Sequence, residues 1–375
     1  MSQGSEQRGV EPHRIDPRER RVDGRSIGRL LVVMPTWFGD CVMATPTLRA
    51  LRRACPETAI EALVAEPLIP LMDGAEGVDA WRAAEPKRGF GWAGRQSEAL
   101  RHGGFDACVL LPNSFRWAWA AWRAGIPMRI GYARDGRGAL LTDRLVPRRV
   151  GSRFLEVPTL EYYLQLARYL GADGRDVAMR LPVDDASDRQ AEQHLSPAEG
   201  RPVVLLNPGA QKPEKRWPAE RFADLADRCV ERLGVAVAVT GSPAEREIVD
   251  AVCGRARSEP MNLPALGVDL PTLKAIARRA AVLVTNDTGP RHLAAAVGTP
   301  VVTLFGPTTP AWTEIDFPLE RIVTATPDAS PGPVADIPVE PVFAAVAELM
   351  DAAQGADMYA AEHALVDDGF TGSAS

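Results

Sequence analysis

The chain has 375 residues, of which 46% are hydrophobic and 25% are charged, and its formal net charge at pH 7 is −6. This length accommodates two domains of ordinary size, and this composition is typical of a soluble globular protein. The negative net charge, without a patch of interleaved basic and aromatic residues, disfavours a nucleic-acid partner.

The spacing of the cysteines and histidines and the lengths of the apolar runs disfavour further classes of protein. Five cysteines are scattered without a Cys-x-x-Cys pair, and the five histidines also lack the spacing of metal ligands. This pattern predicts reduced thiols, a cytoplasmic location and no zinc site. No run of about 18 apolar residues would cross a bilayer, and the N-terminus lacks the apolar core of a signal peptide.

The first half begins with a polar stretch, residues 1–28, that predicts a disordered tail. Residues 29–34 then form an apolar run typical of a buried parallel strand, and a helix is predicted from about Val42 to Ala54. Asp40 lies between the two, and its position supports two interpretations equally. It is either the N-cap of the helix or a carboxylate at a cleft that acts as a general base.

Polar and basic residues follow a further strand of this half, which is predicted at residues 107–111. Asn113 and Ser114 come directly after that strand. The basic residues beyond it are Arg116, Arg123, Arg129, Arg134 and Arg137. A basic run beside a ligand site suits an anionic partner. On an outer surface the same run would only be solvated, and the pattern leaves both interpretations open.

The second half repeats the order of the first. Residues 186–202, with a polar helix and a Pro- and Gly-containing segment, predict a linker. A strand at 203–207, a loop and a helix at 219–233 follow. We therefore predict an α/β protein with two Rossmann-like domains, 29–185 and 203–354, facing across a central cleft. Residues 355–375 predict a loosely held tail.

The loop after the strand at 203–207 carries Gly209, Ala210 and Lys215. Lys215 lies near a helix start, where the helix dipole favours an anion and a cation is out of place unless it serves a ligand. We therefore interpret Lys215 as a phosphate contact rather than a surface lysine. Glu245 follows the next strand, and it is either a ribose contact or a first-turn carboxylate that stabilises its helix.

The stretch from Leu283 to Thr308 predicts a strand, a tight polar turn at Asn286–Gly289, a helix that ends at Gly298, and a second strand at 300–305. A loop at the carboxyl end of a parallel strand that opens a helix is a site for an anionic ligand. The alternative is an ordinary turn in which Asp287 and Thr288 cap the helix.

Taken together, these segments resemble the ADP-heptose:lipopolysaccharide heptosyltransferases of glycosyltransferase family 9, and in particular the enzymes that add the second heptose of the inner core. The matching segments span most of the chain. They are Gly39-Asp40, Leu111 to Arg116, Gly125 to Pro127 with Arg129, Gly131-Tyr132, Asn207 to Ala210 with Lys215 to Pro218, Asn286 to Gly289 with His292 to Ala296, and Phe305 to Thr308.

The resemblance implies the GT-B fold, with the acceptor on the N-terminal domain and the sugar nucleotide on the C-terminal domain. It also implies inverting transfer from ADP-heptose, with no required cofactor or metal and magnesium at most as a stimulant. Asp40 matches the general base of the family, and Lys215 matches a lysine assigned to the donor phosphates. The implied donor contacts are Gly209, Ala210, Lys215, Glu245, Asp287, Thr288, Gly289 and His292. The candidate acceptor contacts are Asn113, Ser114, Arg116 and Arg129.

The implied partners are an ADP-sugar donor and an anionic, lipid-linked glycan acceptor, with peripheral contact at the cytoplasmic face of the inner membrane. One departure from the family concerns Ala210 and Gln211, which replace hydroxyl residues that some members carry in the phosphate loop. Other functions stay open. They are transfer to a different glycan or to a protein, sugar-nucleotide epimerisation, and nucleotide binding without catalysis, although Asp40 beside Gly39 favours a transferase over the last.

Overall fold

The computed structural model describes residues 13–15, 26–86, 91–150, 153–306, 312–325 and 332–352. They belong to two compact units. Unit one comprises the described residues up to Pro182 together with 312–316, and unit two comprises the remaining described residues from Val183 onward. Among the described residues, every helix is too short or too polar to span a membrane.

Unit one is built on a parallel sheet with one antiparallel edge strand. Its strands are β1 (His13–Ile15), β2 (Arg29–Val33), β3 (Ala59–Ala65), β4 (Ala80–Ala84), β5 (Ala107–Leu110), β6 (Met128–Tyr132) and β7 (Asp143–Pro147), followed by the small hairpin of β8 (Arg149–Val150) and β9 (Arg153–Phe154). Its helices are α1 (Phe38–Met43), α2 (Thr45–Ala54), α3 (Ile69–Met72), α4 (Trp92–Arg101), α5 (Phe115–Ala124) and α6 (Thr159–Tyr169).

The strand order of this sheet is β1-β7-β6-β5-β2-β3-β4, and β1 pairs with β7 in the antiparallel sense. Counted from β2, the parallel strands have the Rossmann order 3-2-1-4-5-6. The chain therefore changes direction across the sheet between β2 and β5. Ligands of such sheets bind outside the carboxyl ends of the strands at this switch point.

Unit two has the same order of strands in a fully parallel sheet. The strands are β10 (Val203–Asn207), β11 (Ala236–Val239), β12 (Met261–Asn262), β13 (Val282–Asn286), β14 (Val301–Phe305) and β15 (Glu320–Thr324). The helices are α7 (Asp185–Leu195), α8 (Ala219–Leu233), α9 (Arg246–Arg255), α10 (Leu270–Arg279), α11 (Gly289–Val297) and α12 (residues 339–352). The sheet order is β12-β11-β10-β13-β14-β15, so its switch point lies between β10 and β13.

Buried apolar side chains hold each sheet to its helices. All five residues of β10 are buried, as expected for a strand covered on both faces. α8 packs its buried side chains Phe222 and Leu225 into the same core, and the ring of Trp217 meets Phe222 edge to face with centroids 4.9 Å apart. Each such fully buried side chain stabilises the fold by roughly 1.5–3 kcal/mol. α8 ends at Gly234, whose φ of 68° is a conformation that glycine adopts without strain.

The prediction of an α/β protein with two Rossmann-like sheets is confirmed. Two local expectations in unit one are wrong. Residues 13–15, predicted within a disordered tail, form β1, because β7 offers an edge with unpaired backbone groups. The single helix predicted from Val42 to Ala54 is α1 and α2, because Pro46 lacks an N–H and begins a new helix in its first turn. The rest of the tails, residues 1–12, 16–25 and 353–375, lies outside the described residues.

The segment predicted as a linker, 186–202, contains most of α7, which belongs to unit two. Asp188 of α7 forms two 2.8 Å hydrogen bonds with Arg279 of α10, and Gln190 accepts one from Thr272. Only Ser187 and Ala191 of α7 are buried. The composition of this segment is polar because the helix lies on the surface of unit two, and the division between the units follows Pro182 instead.

Candidate functional site

In unit one, the loops that leave β2 and β5 at the switch point enclose a cavity of about 450 Å³. The walls combine carboxylates, aromatic rings and hydrogen-bonding side chains. Its lining residues are Pro35, Thr36, Trp37, Asp40, Leu111, Pro112, Asn113, Ser114, Arg134, Asp135, Val157, Thr159, Tyr162, Tyr163 and Trp312. A volume of this size fits a sugar-sized ligand.

Asp40 lies in the first turn of α1 and is not its N-cap. The N-cap position belongs to Trp37, and no side-chain hydrogen bond caps the helix. Among the residues that the structure describes, the Asp40 carboxylate has no hydrogen bond or ion pair, and it is half-buried. Burial raises the pKa of this carboxyl to about 6. A carboxylate with this pKa is a stronger base than an exposed aspartate and is still mostly ionised at neutral pH.

The neighbour of Asp40 fixes the start of α1. Cys41 is buried, and its Sγ lies 3.2 Å from the carbonyl oxygen of Pro35, to which it donates. Burial and the nearby Asp40 charge raise the pKa of the Cys41 thiol well above its ordinary value, so this thiol stays protonated. Cys41 is therefore a structural anchor beside the cavity rather than a nucleophile.

The side-chain oxygen of Asn113 accepts two hydrogen bonds. The hydroxyl of Tyr162 and Nη2 of Arg137 donate to its Oδ1 at 3.1 and 3.0 Å. Tyr162 in turn stacks on Tyr132, with centroids 3.7 Å apart. With its oxygen occupied in this way, the side chain of Asn113 presents its NH2 group as the donor for a ligand hydroxyl. The predicted contacts Asn113 and Ser114 thus share the cavity with Asp40.

The other two predicted acceptor contacts do not line this cavity. Arg129 donates to the backbone carbonyls of Leu140 and Pro127 at 2.7 and 3.2 Å, so its guanidinium joins the segment before β6 to the turn between β6 and β7. Arg116 is exposed on α5 and lies 4.9 Å from the ring centroid of Trp92. The guanidinium of Arg129 is therefore engaged by the backbone, whereas Arg116 stays exposed outside the cavity, and its role as an acceptor contact stays a prediction.

Arg134 is the arginine of this run that lines the cavity. Its guanidinium lies 4.3 Å from the ring centroid of Phe154, and Arg149 lies 4.2 Å from the same ring. Two exposed indoles, Trp37 at 60% and Trp312 at 38%, also line the cavity. The sequence singled out the basic run, but it gave no signal for which of the five arginines lines the cavity.

In unit two, a network of side-chain amides joins the loops after β10 and β13. Nδ2 of Asn286 donates to the carbonyls of Pro208 and Gly209 at 2.9 and 3.1 Å, and its Oδ1 accepts from the backbone N–H of Trp217 at 3.1 Å. These bonds place the loop that carries Lys215 beside Asp287. Nζ of Lys215 lies 2.9 Å from Oδ2 of Asp287. The two predicted donor loops therefore meet at one site.

The N-terminus of α11 lies in the same place. Thr288 is its N-cap, but no side chain caps the helix, because the Thr288 hydroxyl donates to the carbonyl of Asn286 at 3.2 Å. The alternative of an ordinary capped turn is therefore wrong for Thr288. In this first turn Pro290 has no N–H, and the N–H of Arg291 donates to the carbonyl of Thr288 at 3.2 Å. The N–H of Gly289 and the helix dipole therefore remain to favour an anion.

His292 lies one turn into α11 and is fully buried at 3% exposure. Burial and the positive charge of Arg291 lower its pKa to about 3. Within the described part of the chain, its Nδ1 has no hydrogen-bond partner. His292 is therefore neutral at physiological pH and cannot supply a charge to a phosphate.

Glu245 closes the site on the β11 side. Its Oε2 accepts from the backbone N–H and the hydroxyl of Ser242 at 2.9 and 2.7 Å, which is a capping box. A Cβ on Gly209 would lie 2.3 Å from Oε1 of Glu245, so a side chain at this position would displace the Glu245 carboxylate. The helix-stabilising interpretation of Glu245 is confirmed, and the ribose contact stays a prediction. Ala210 is buried and contributes its backbone, whose carbonyl accepts from Nε of Arg216 at 2.8 Å.

No group of three or more His, Cys, Asp or Glu side chains suitable for a metal ion occurs among the described residues.

Comparison with known proteins agrees with this architecture. A model of the family described as Glycosyltransferase family 9 (heptosyltransferase) matches residues 93–330. The chain is 28% identical over 300 residues to Lipopolysaccharide heptosyltransferase 2 of Escherichia coli K12, with 76% of this chain and 84% of that protein covered. The solved structure of the Escherichia coli ADP-heptose lipopolysaccharide heptosyltransferase II is similar with a TM-score of 0.75 and 26% identity, over 87% of this chain and 99% of that one. A family 9 glycosyltransferase structure from Veillonella parvula shares the fold, with a TM-score of 0.77 and 24% identity over 88% of this chain and 99% of that one.

Proposed function

The chain belongs to glycosyltransferase family 9, and on that premise we propose that it moves heptose from ADP-heptose to an acceptor in the inner core of lipopolysaccharide. The names of its relatives, which include lipopolysaccharide heptosyltransferases of several bacteria, support this substrate pair. The observation that carries the proposal is the half-buried Asp40 carboxylate in a sugar-sized cavity at the switch point of unit one. The acceptor would be lipid-linked, so the enzyme would act at the cytoplasmic surface of the inner membrane.

The acceptor hydroxyl is a poor nucleophile until its proton is removed. Asp40 takes this proton while the hydroxyl oxygen attacks the anomeric carbon of the donor. The carbon–oxygen bond to the acceptor forms as the bond to the diphosphate breaks, and ADP leaves with the bonding electron pair. One displacement of this kind inverts the anomeric configuration. The transition state has oxocarbenium character, as in other glycosyl transfers.

Unit two would bind the donor through its diphosphate. Negative charge grows on the diphosphate as the sugar leaves, and groups placed to meet that charge lower the barrier. Lys215 supplies a full positive charge when it turns from Asp287 to the phosphates, and the N–H of Gly289 with the dipole of α11 supplies a partial one. Gly209 and Ala210 contribute backbone, and Glu245 lies beside Gly209, where a ribose would meet it.

For the acceptor, the cavity offers one guanidinium and two indoles. Arg134 would pair with an anionic group of the acceptor, and the exposed rings of Trp37 and Trp312 would cover the apolar faces of its sugars. Asn113 would donate a hydrogen bond to a sugar hydroxyl. This set replaces Arg116 and Arg129 as the acceptor contacts of the proposal.

The test has two stages. Calorimetric titration with ADP, UDP and GDP, first without metal and then with magnesium, should show selective binding of ADP in both conditions. Incubation with ADP-heptose and a core acceptor should then give one product whose new linkage has the inverted configuration by NMR. A preference for UDP would overturn the donor assignment. Selective ADP binding without transfer to the core would favour the second candidate, a family 9 enzyme with another glycan or a protein as acceptor.

A further inference from the structure

Behind the predicted phosphate site of unit two lies a chain of four charged side chains of alternating sign. Lys215 pairs with Asp287 at 2.9 Å, and Nη1 of Arg291 approaches the other oxygen of Asp287 at 3.7 Å. Arg291 then pairs with Glu320 through two bonds of 2.5 and 2.9 Å. The formal charges of the four side chains sum to zero.

Exposure decreases along this chain of charges. The side chain of Lys215 is 21% exposed and that of Asp287 is 9% exposed, whereas Arg291 is fully buried. Arg291 therefore does not touch a ligand in solvent, and its charge acts on the site through Asp287. A buried charge is tolerated only when it is paired and hydrogen-bonded.

Arg291 is held firmly in this position. Both carboxylate oxygens of Glu320, on β15, accept hydrogen bonds from Arg291, and the buried hydroxyl of Thr303 donates to Glu320 at 2.6 Å. The Arg291 guanidinium also lies 5.0 Å from the ring centroid of Phe305. A bidentate pair with this support leaves the arginine little freedom to turn away from Asp287.

Donor binding would disturb the outer end of the chain of charges. When a diphosphate enters, the Lys215 ammonium must turn toward it, and Asp287 loses its nearest cation. An uncompensated buried carboxylate beside an incoming anion would oppose binding. Arg291 remains on the other oxygen of Asp287 and offsets that charge.

We propose that the Arg291–Glu320 pair is a positioning element that neutralises Asp287, so that Lys215 is released to the diphosphate of the nucleotide sugar. This inference rests on the proposed function, because it takes Lys215 as the phosphate contact. Arg291 and Glu320 contact neither substrate nor the reacting atoms. They set the affinity for the donor diphosphate through Asp287.

The test compares ADP affinity with folding stability. Arg291→Met alone leaves Glu320 buried without its partner and can unfold the protein, so the main variant is Arg291→Met/Glu320→Gln, which removes both charges and keeps the hydrogen bond of Thr303. This double variant should melt within a few degrees of wild type, yet bind ADP about tenfold more weakly by calorimetry. Arg291→Lys keeps the positive charge but cannot form the bidentate pair with Glu320. This variant should bind ADP more tightly than the double variant and more weakly than wild type.

The same double variant, made in an Asp287→Asn protein, shows whether the loss of ADP affinity depends on the charge of Asp287. In Asp287→Asn there is no charge to neutralise, so adding Arg291→Met/Glu320→Gln should change ADP affinity by less than about twofold. The matched control is Arg279→Met/Asp188→Asn, which removes a two-bond ion pair between α10 and α7 and should leave ADP affinity unchanged.

Two results would overturn the proposal. One is a folded Arg291→Met/Glu320→Gln variant with the ADP affinity of wild type, and the other is an equal loss of affinity in the Asp287→Asn background. In both cases wild type still binds ADP and Lys215→Ala still weakens it, so the proposed function survives. Failure of wild type to bind ADP would instead overturn the proposed function together with this inference.

Discussion

Unit one and unit two have the same order of parallel strands, but the carboxylates at their two switch points have different surroundings. In unit one, Asp40 has no ion pair among the described residues, and burial raises its pKa to about 6. In unit two, Asp287 lies between Lys215 and Arg291, and the network behind it continues to Glu320. One carboxylate is left basic and the other is neutralised by its neighbours.

Under the proposed function, this difference would let one fold supply two kinds of chemistry. The sheet fixes where the loops meet, and the loops decide whether a carboxylate accepts protons or pairs with cations. A general base needs a raised pKa and an unpaired oxygen, whereas a diphosphate site needs a positive balance. The variants below test whether the two carboxylates are as different in function as they are in environment.

The largest effect is expected from Asp40→Asn. Without a base, turnover should fall by about 10²–10⁴-fold, while ADP affinity stays that of wild type, because unit two is unchanged. Turnover with ADP-heptose and calorimetry with ADP measure the two quantities. The matched control is Asp135→Asn, which removes the other carboxylate that lines the cavity and should cost less than about tenfold. Near-normal turnover of Asp40→Asn would remove Asp40 from the mechanism.

The next effect concerns unit two. Lys215→Ala should weaken ADP binding by about 10–100-fold, because a charge-assisted contact to phosphate is lost and Asp287 is left with less positive charge around it. Lys212→Ala in the same loop is the matched control, since this lysine is exposed. Calorimetric dissociation constants compare the two. An equal response of both variants would make Lys215 an ordinary surface lysine.

The pH dependence of kcat and of nucleotide affinity tests the difference between the two carboxylates without a substitution. Asp40 must be ionised to accept a proton, so kcat should rise with pH through about 6 and fall about tenfold per unit below it. The affinity for ADP-heptose, whose diphosphate is esterified at both ends and keeps its charge, should stay level over the same range, because the pKa of His292 is about 3 and that residue stays neutral. Parallel pH profiles of kcat and of the ADP-heptose dissociation constant test this. A kcat profile that is flat between pH 5 and 7 would contradict the role of Asp40.

The same pKa predicts an effect on stability. The folded pKa of Asp40 lies above its ordinary value of 3.8, so the folded state binds the proton more tightly than the unfolded state does. Ionisation of Asp40 therefore costs stability as pH rises from about 4 to 6. Asp40→Asn should increase the free energy of unfolding at pH 7 by on the order of 2 kcal/mol, with no gain below pH 4. Urea unfolding at pH 7 and pH 3.5 measures both values, and a gain that is equal at both would indicate another cause.

The smallest effect is expected at the acceptor. Arg134→Ala should raise the KM for the acceptor about fivefold to tenfold. ADP affinity should stay unchanged, because Arg134 lines the cavity of unit one and ADP is expected to bind to unit two. Arg116→Ala is the matched control from the same basic run. If Arg116→Ala raised the acceptor KM and Arg134→Ala did not, the cavity would not be the acceptor site.

The sequence predicted those parts of the fold that depend on local pattern. The strand at 203–207 and the helix at 219–233 have the predicted bounds, because an unbroken apolar run and a repeating apolar face leave few alternatives. β4 was not predicted, since its residues are exposed or only half-buried and carry no alternating pattern. β1 was not predicted either, because its place depends on the distant edge of β7.

The sequence placed Asp40, Asn113 and Asp287 at the carboxyl edge of a sheet, because each lies between a strand and the next helix or in the first turn of that helix. The parallel strands bring such residues to one edge of a sheet, so their position in sequence fixes their position in space. Arg134 and Tyr162 reach the cavity through long-range packing on Phe154 and Asn113, which no spacing in the sequence reveals. Glu320 is 29 residues from Arg291, and only the pairing of β14 with β15 brings the two together.

The neutral, buried His292 has a practical consequence for slowing the enzyme while both substrates are bound. At about pH 5 the imidazole is still uncharged, so a nucleotide sugar would still bind, while most Asp40 carboxylates would be protonated and turnover would be about tenfold slower than at neutral pH. Crystals soaked with donor and acceptor in a mildly acidic buffer would then turn over slowly in an unmutated protein. A brief soak in neutral buffer would ionise Asp40 and accelerate turnover for time-resolved diffraction.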